Sequence, residues 1–148
     1  MPSNARGPNR PPERELADRL HSAAIHLLRR ARRGDPLTGA TPAQLSALSV
    51  LMSGPKTLGD LAAAEQVRAP TISRLAAEMV RIGLIRRRDD PGDGRVVRVE
   101  MTAKGRRVLD QGRELRIADV EGRVRRLDRS EVDTLEKAVS ILEGMLRD

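Results

Sequence analysis

The chain has 148 residues, 33% of them charged, with a formal net charge of +7. That length fits one domain with a real core, and the absence of Cys excludes disulfides, thiol redox sensing and thiolate metal sites. There is no Phe, Tyr or Trp either, so the core must be built from Leu, Val, Ile, Ala and Met, whose smaller burial per side chain favours packing against a partner subunit.

Residues 1–12, with four Pro and one Gly, read as a disordered, mildly basic arm. No apolar run approaches the ~20 residues of a membrane span, and the N-terminus lacks the apolar centre of a secretory signal. A soluble, cytoplasmic protein is expected, with no membrane partner. A first helix is expected over 13–33, with Leu16, Leu20, Ala23, Leu27 and Ala31 on one stripe, ended by Gly34-Asp35-Pro36. Thr41-Pro42-Ala43-Gln44 opens a second helix with a capping signature, and it stops at Gly54-Pro55. Thr57-Leu58-Gly59-Asp60 caps a short third helix.

After a turn at Gln66–Ala69, Pro70 sits in the first turn of a fourth helix. Its Ile72, Leu75, Ala76 and Met79 follow the i, i+3, i+4, i+7 spacing of a core face. The opposite face presents Thr71, Arg74, Glu78 and Arg81, flanked by Ser73, and Gly83 ends the helix. Leu84–Asp89 and Val96–Met101 read as strands joined by the turn Asp90-Pro91-Gly92-Asp93-Gly94. A long charged helix follows over 103–127, with Val108, Leu115, Val120, Val124 and Leu127 as its apolar side. Asp128 to Glu131 starts a last helix whose Val132, Leu135, Val139, Leu142 and Leu146 form a three-four seam suited to packing across a subunit boundary.

Helix, helix, hairpin is the order a winged helix-turn-helix uses on duplex DNA. Over residues 68–107, eleven Arg/Lys face five Asp/Glu, so most of the excess positive charge lies on that segment. Thr71, Ser73 and Arg74 occupy the early exposed turns, where short polar and basic side chains meet base edges. Arg95 follows a Gly-rich tip and suits a narrow minor groove, with Asp93 placed to hold its guanidinium. Arg68, Arg86 and Arg88 are candidate phosphate contacts; for the two strand arginines the plainer reading is outward charge that protects a sheet edge. The acidic pair Asp89-Asp90 reads as loop solvation.

The run Thr57-Leu-Gly-Asp-Leu-Ala62, then Val67–Ile85, then Asp93-Gly94-Arg95 leading to Val-Glu-Met-Thr-Ala-Lys-Gly105, resembles the MarR family of winged-helix transcriptional regulators, from about residue 13 onward. The resemblance implies a mainly α fold with a small β-hairpin wing (α+β): a DNA-binding lobe over about 41–102, with dimerisation helices over 13–33 and 103–148. It implies a homodimer on a pseudo-palindromic DNA site, more often a repressor, with Pro70, Thr71, Ser73 and Arg74 on the recognition helix and Asp93 and Arg95 on the wing. Leu16 and Leu20 then join the seam of the last helix in the dimer interface. Two departures stand out: Glu78 replaces a residue commonly basic in the family, and Gly94 beside Gly92 leaves a bare tip. Many relatives respond to small phenolic or carboxylate effectors, but no aromatic ring is available here to stack on one, and the effector's identity is not written in the sequence.

His21 and His26, five apart on one helix, do not share a face well and read as ordinary histidines, so no metal and no cofactor are expected. Without a P-loop, dinucleotide fingerprint or Gly-x-Ser-x-Gly elbow, no catalytic residues are assigned. The alternative to a sequence-specific regulator is a sequence-independent architectural DNA-binding protein, since basic charge alone gives non-specific affinity. A protein-interaction module is disfavoured by the localised charge.

Overall fold

The computed structural model describes residues 12–147. The arm expected over 1–12 lies outside the described residues, apart from Pro12, which opens helix α1 (Pro12–Ala31), a position where its missing N–H has no helical partner to lose. Glu13 and Glu15 in the first turn and Arg29 and Arg30 in the last complement the helix dipole. The helix stops two residues short of the expected end and tightens into a 3-10 segment, Arg32–Thr38. Pro36 is the reason: it cannot donate to the carbonyl four residues back, so the chain takes the shorter repeat.

That tight segment buries Asp35 completely, and the Arg116 guanidinium reaches it through Nε and Nη2, both at 2.8 Å. Helix α2 (Pro42–Leu51) starts with the anticipated capping box: Thr41 Oγ1 accepts from Gln44 N, and Gln44 Oε1 from Thr41 N. Its Leu45, Ala47, Leu48 and Leu51 are all buried, so α2 is the centre around which the lobe packs. A short strand β1 (Lys56–Thr57) leads into α3 (Leu58–Glu65), which Thr57 caps by accepting from Asp60 N. Gln66, in the left-handed region at φ 55°, turns the chain into α4 (Ala69–Arg81).

Strands β2 (Ile85–Asp89) and β3 (Val97–Met101) form the expected antiparallel hairpin, in register Ile85 with Met101 and Asp89 with Val97. The sheet has a third member: β1 pairs with the far edge of β3, giving the order β1-β3-β2. A two-residue strand has no periodicity to read, which is why the sequence did not suggest it. Helix α5 (Ala103–Val124) ends three residues earlier than expected, because Arg126 and Leu127 bond back to Arg123 and Val124 in a tightened turn. Helix α6 (Arg129–Met145) begins at the predicted Asp128–Glu131 capping box.

Leu45, Leu48, Leu61, Ile72, Met79, Ile85 and Val99 form the fully buried centre of the core, each contributing roughly 1.5–3 kcal/mol by burial. On α5 the buried positions are Gly105, Leu109 and Gly112, none of which belongs to the apolar side read from sequence. Gly105 is required by a close approach of backbones: a Cβ there would lie 2.1 Å from the Leu84 carbonyl oxygen. No helix of the described residues is long and apolar enough to cross a membrane.

Asp35 is buried with one charged partner, so removing that partner leaves an uncompensated carboxylate. Arg116→Leu should lower stability by about 3 kcal/mol in chemical denaturation at fixed protein concentration, whereas the joint Asp35→Leu/Arg116→Leu replacement should recover most of that loss. Equal stability of Arg116→Leu and wild type would show that the pair does not hold the junction.

Candidate nucleic-acid interface

Helices α3 and α4, joined by Gln66, Val67 and Arg68, form the helix-turn-helix, and the β2–β3 hairpin stands beside it as the wing. The sequence of α4 fixes how it lies. Ile72, Ala76 and Met79 are buried against the core, which turns Thr71 and Arg74 outward. Arg68, Pro70 and Ser73 are exposed at the same end, so the five polar or turn-forming positions assigned to the start of this helix share one accessible surface. Among the described residues neither Arg68 nor Arg74 makes an ion pair.

The other end of the outward stripe is different. Glu78 accepts two bonds from Arg81, at 2.8 and 2.5 Å, and this pairing holds the Glu78 carboxyl below the usual range for its type. Arg81 is thereby largely neutralised as a phosphate partner. Positive charge on α4 is concentrated at its first turns, where a groove-reading helix needs it.

The wing turn is closed by Asp90 N to Val96 O and Val96 N to Asp93 O, both 3.0 Å. Asp93 does not grip the Arg95 guanidinium as the sequence suggested; its Oδ1 accepts the Arg95 backbone N–H at 3.0 Å, an Asx-type closure that a short carboxylate makes more readily than a reach around a turn. Arg95 is exposed and, among the described residues, forms no ion pair. Asp90 is more than a solvated loop acid. It accepts Gly92 N at 2.7 Å, Asp93 N at 3.2 Å and the Arg98 guanidinium, and the Arg98 bond first, then the Gly92 amide, draw its carboxyl below the usual aspartate value. Turn-rich composition hid that role, because nothing local marks Arg98 as its partner.

Arg86 and Arg88, read as phosphate contacts, lie on one face of the hairpin with Glu100, whose carboxylate accepts from Arg86 at 2.5 Å and from Arg88 at 3.1 Å. The two bonds hold Glu100 below the usual glutamate value, and half-burial keeps it fixed between them. Both arginines stay exposed, but each shares its charge with the sheet. Arg87 alternates to the other face, opposite Val99.

A family model described as MarR family matches residues 38–96. An HTH-type transcriptional regulator of Mycobacterium tuberculosis is 34% identical over 132 residues, covering 88% of this chain and 92% of that one. Among solved structures, a MarR family protein from Bacillus stearothermophilus is 27% identical with a TM-score of 0.75, covering 90% of this chain and 94% of that one. A Staphylococcus aureus MepR variant bound to an oligodeoxyribonucleotide has the same fold, at 20% identity and a TM-score of 0.68 over 89% of this chain and 98% of that one. The chain belongs to the MarR family of helix-turn-helix, DNA-binding transcriptional regulators.

Because ionised Asp90 accepts three of the bonds that organise the turn, its contribution to wing order should persist at neutral pH and be lost only in acid. A carboxyl lowered in the folded state stabilises above its unfolded value, and that stabilisation is lost as pH falls through the lowered one. The Asp90 carboxyl carbon, followed by NMR, should titrate below a free aspartate peptide; a coincident midpoint would mean the Arg98 latch does not persist in solution.

Proposed function

We propose that this protein is a homodimeric, sequence-specific repressor in which α4 reads the major groove and the 90–95 wing enters the flanking minor groove of a pseudo-palindromic site. The observation that carries the reading is the placement of cations that have no ion-pair partner among the described residues: Arg68 and Arg74 beside Thr71 and Ser73 on the exposed start of α4, and Arg95 at the wing tip. Arg74 is suited to a guanine edge and Arg95 to the negative potential of a narrow groove. Arg86 and Arg88, shared with Glu100, serve as weaker phosphate contacts.

Dimerisation is supported by apolar surface that one subunit leaves uncovered. Helix α6 has no buried residue: Leu135, Val139 and Leu146 are exposed, and Val132 and Leu142 half-buried. On α1, Leu16 and Leu20 are also exposed, and Ala24, Leu27 and Leu28 line an apolar groove with Ile117, Val120 and Val124 of α5. So much aliphatic surface on three helices fits a second copy of the chain. Such a protein works in the cytoplasm with the DNA it controls. Repression is proposed from the family, whose members usually block promoters.

Titration against DNA from upstream of the protein's own gene, with a scrambled duplex at two salt concentrations, tests the function. A specificity gap on the order of 10³ or more is expected. Equal, steeply salt-dependent affinities would point instead to a sequence-independent architectural protein. Arg95→Ala should weaken specific binding by roughly 1–3 kcal/mol, and an unchanged affinity removes the wing from the mechanism. Separately, Leu135→Asp or Leu142→Asp should convert a dimer to a monomer in sedimentation; persistence of the dimer would place the interface elsewhere.

A further inference from the structure

The C-terminal end of α4 is received by the first turn of α5, a contact with no part in the DNA surface described above. Helix α4 closes in a Schellman motif: Gly83 N donates to Val80 O at 3.0 Å and Leu84 N to Met79 O at 2.9 Å, with Gly83 at φ +79°. The next three carbonyls, of Ile82, Gly83 and Leu84, face away from the helix. Each meets a donor from the start of α5. Lys104 Nζ donates to Ile82 O at 2.6 Å, Thr102 Oγ1 to Gly83 O at 2.6 Å, and Thr102 N to Leu84 O at 3.1 Å. Thr102 Oγ1 also accepts Gly105 N at 3.0 Å as the N-cap of α5, and Gly105 itself passes against the Leu84 carbonyl. Lys104 adds a positive charge at the negative end of the α4 dipole.

We propose that Lys104 is a positioning residue: from the far end of α4 it sets the angle at which that helix meets DNA, and so sets specificity rather than affinity for DNA in general. The inference rests on the DNA-reading function proposed above. At its first residue α4 has no side-chain cap, since Arg68 makes no capping bond, so its orientation is governed by its packed face and its C-terminal joint. The helix has 13 residues, so at 1.5 Å per residue a pivot of about 5° at one end displaces the other by about 1.7 Å. Such a shift breaks a paired hydrogen bond to a base edge, while flexible arginines still find phosphates.

The full-length protein would first be used to enrich a duplex from a random-sequence pool, and that duplex compared with a scrambled one. Lys104→Met keeps the aliphatic stem but removes donor and charge; Lys104→Arg restores both. Lys104→Met should lower specific affinity about tenfold, the size of one weakened base contact, with scrambled-duplex affinity and salt slope unchanged. Lys104→Arg should recover most of the loss. Unchanged specificity in Lys104→Met would overturn the proposal. So would equal weakening on both duplexes with a salt slope shallower by about one, the signature of a direct phosphate contact. Failure of the wild type to enrich any duplex would overturn the DNA-reading function itself, and this inference with it.

Discussion

Gly105 lies so near the Leu84 carbonyl that no side chain fits between them, and most of the architecture follows from that approach. Helix α5 starts at the point where α4 and β2 meet, and Leu48 of α2 and Met101 of β3 converge on the same glycine. The long helix and the helix-turn-helix lobe are therefore one packed unit at this point. The approach is also what an aromatic-free core demands: short side chains leave voids unless backbones close in, and interiors tolerate few voids. Gly112, two turns further along α5, makes a looser approach, to side chain and not backbone, where a Cβ would meet Leu45 Cδ2 at 3.3 Å.

Much of this was legible from residue order. Capping boxes at Thr41 and Asp128, the core spacing of α4 and the turn chemistry between β2 and β3 are local signals, and local geometry obeys them. Which α4 side chains face out was readable for the same reason, because burying Ile72, Ala76 and Met79 fixes it. Illegible features were those decided by a distant partner. Asp35 looked like part of a helix stop until Arg116 appeared beside it, and Asp90 looked like a solvated acid until Arg98 did. Strand β1 depends wholly on the neighbouring β3, and Leu109 is buried because of where α5 crosses α2, not because of its own periodicity.

A count of basic residues overstates how many are free to meet an anion. Glu78, Glu100 and Asp90 together engage Arg81, Arg86, Arg88 and Arg98, so four of the eleven basic side chains of residues 68–107 are tied to carboxylates inside the lobe, although the net excess is unchanged. Among the described residues, the cations left unpaired at the α4 start and the wing tip are few. Non-specific affinity rises with every phosphate neutralised, whereas discrimination depends on a few contacts of fixed geometry. On the proposed reading, internal carboxylates would restrain the first while the turn bonds of Asp90 and Asp93 would serve the second.

The pairing of Asp35 with Arg116 spans 81 residues of chain, and that span has a consequence during synthesis. At roughly 5–20 residues per second a ribosome needs about 4 to 16 s to add that stretch. Throughout that interval the Asp35 carboxylate lacks the Arg116 guanidinium that pairs it in the folded chain, so burying it there would strand a charge. Helices α2 to α4 and the hairpin, whose contacts are mostly short in sequence, have time to form first. The helix-turn-helix lobe can thus take shape while the junction to the first helix is still open, and the guanidinium of α5 is its closing piece.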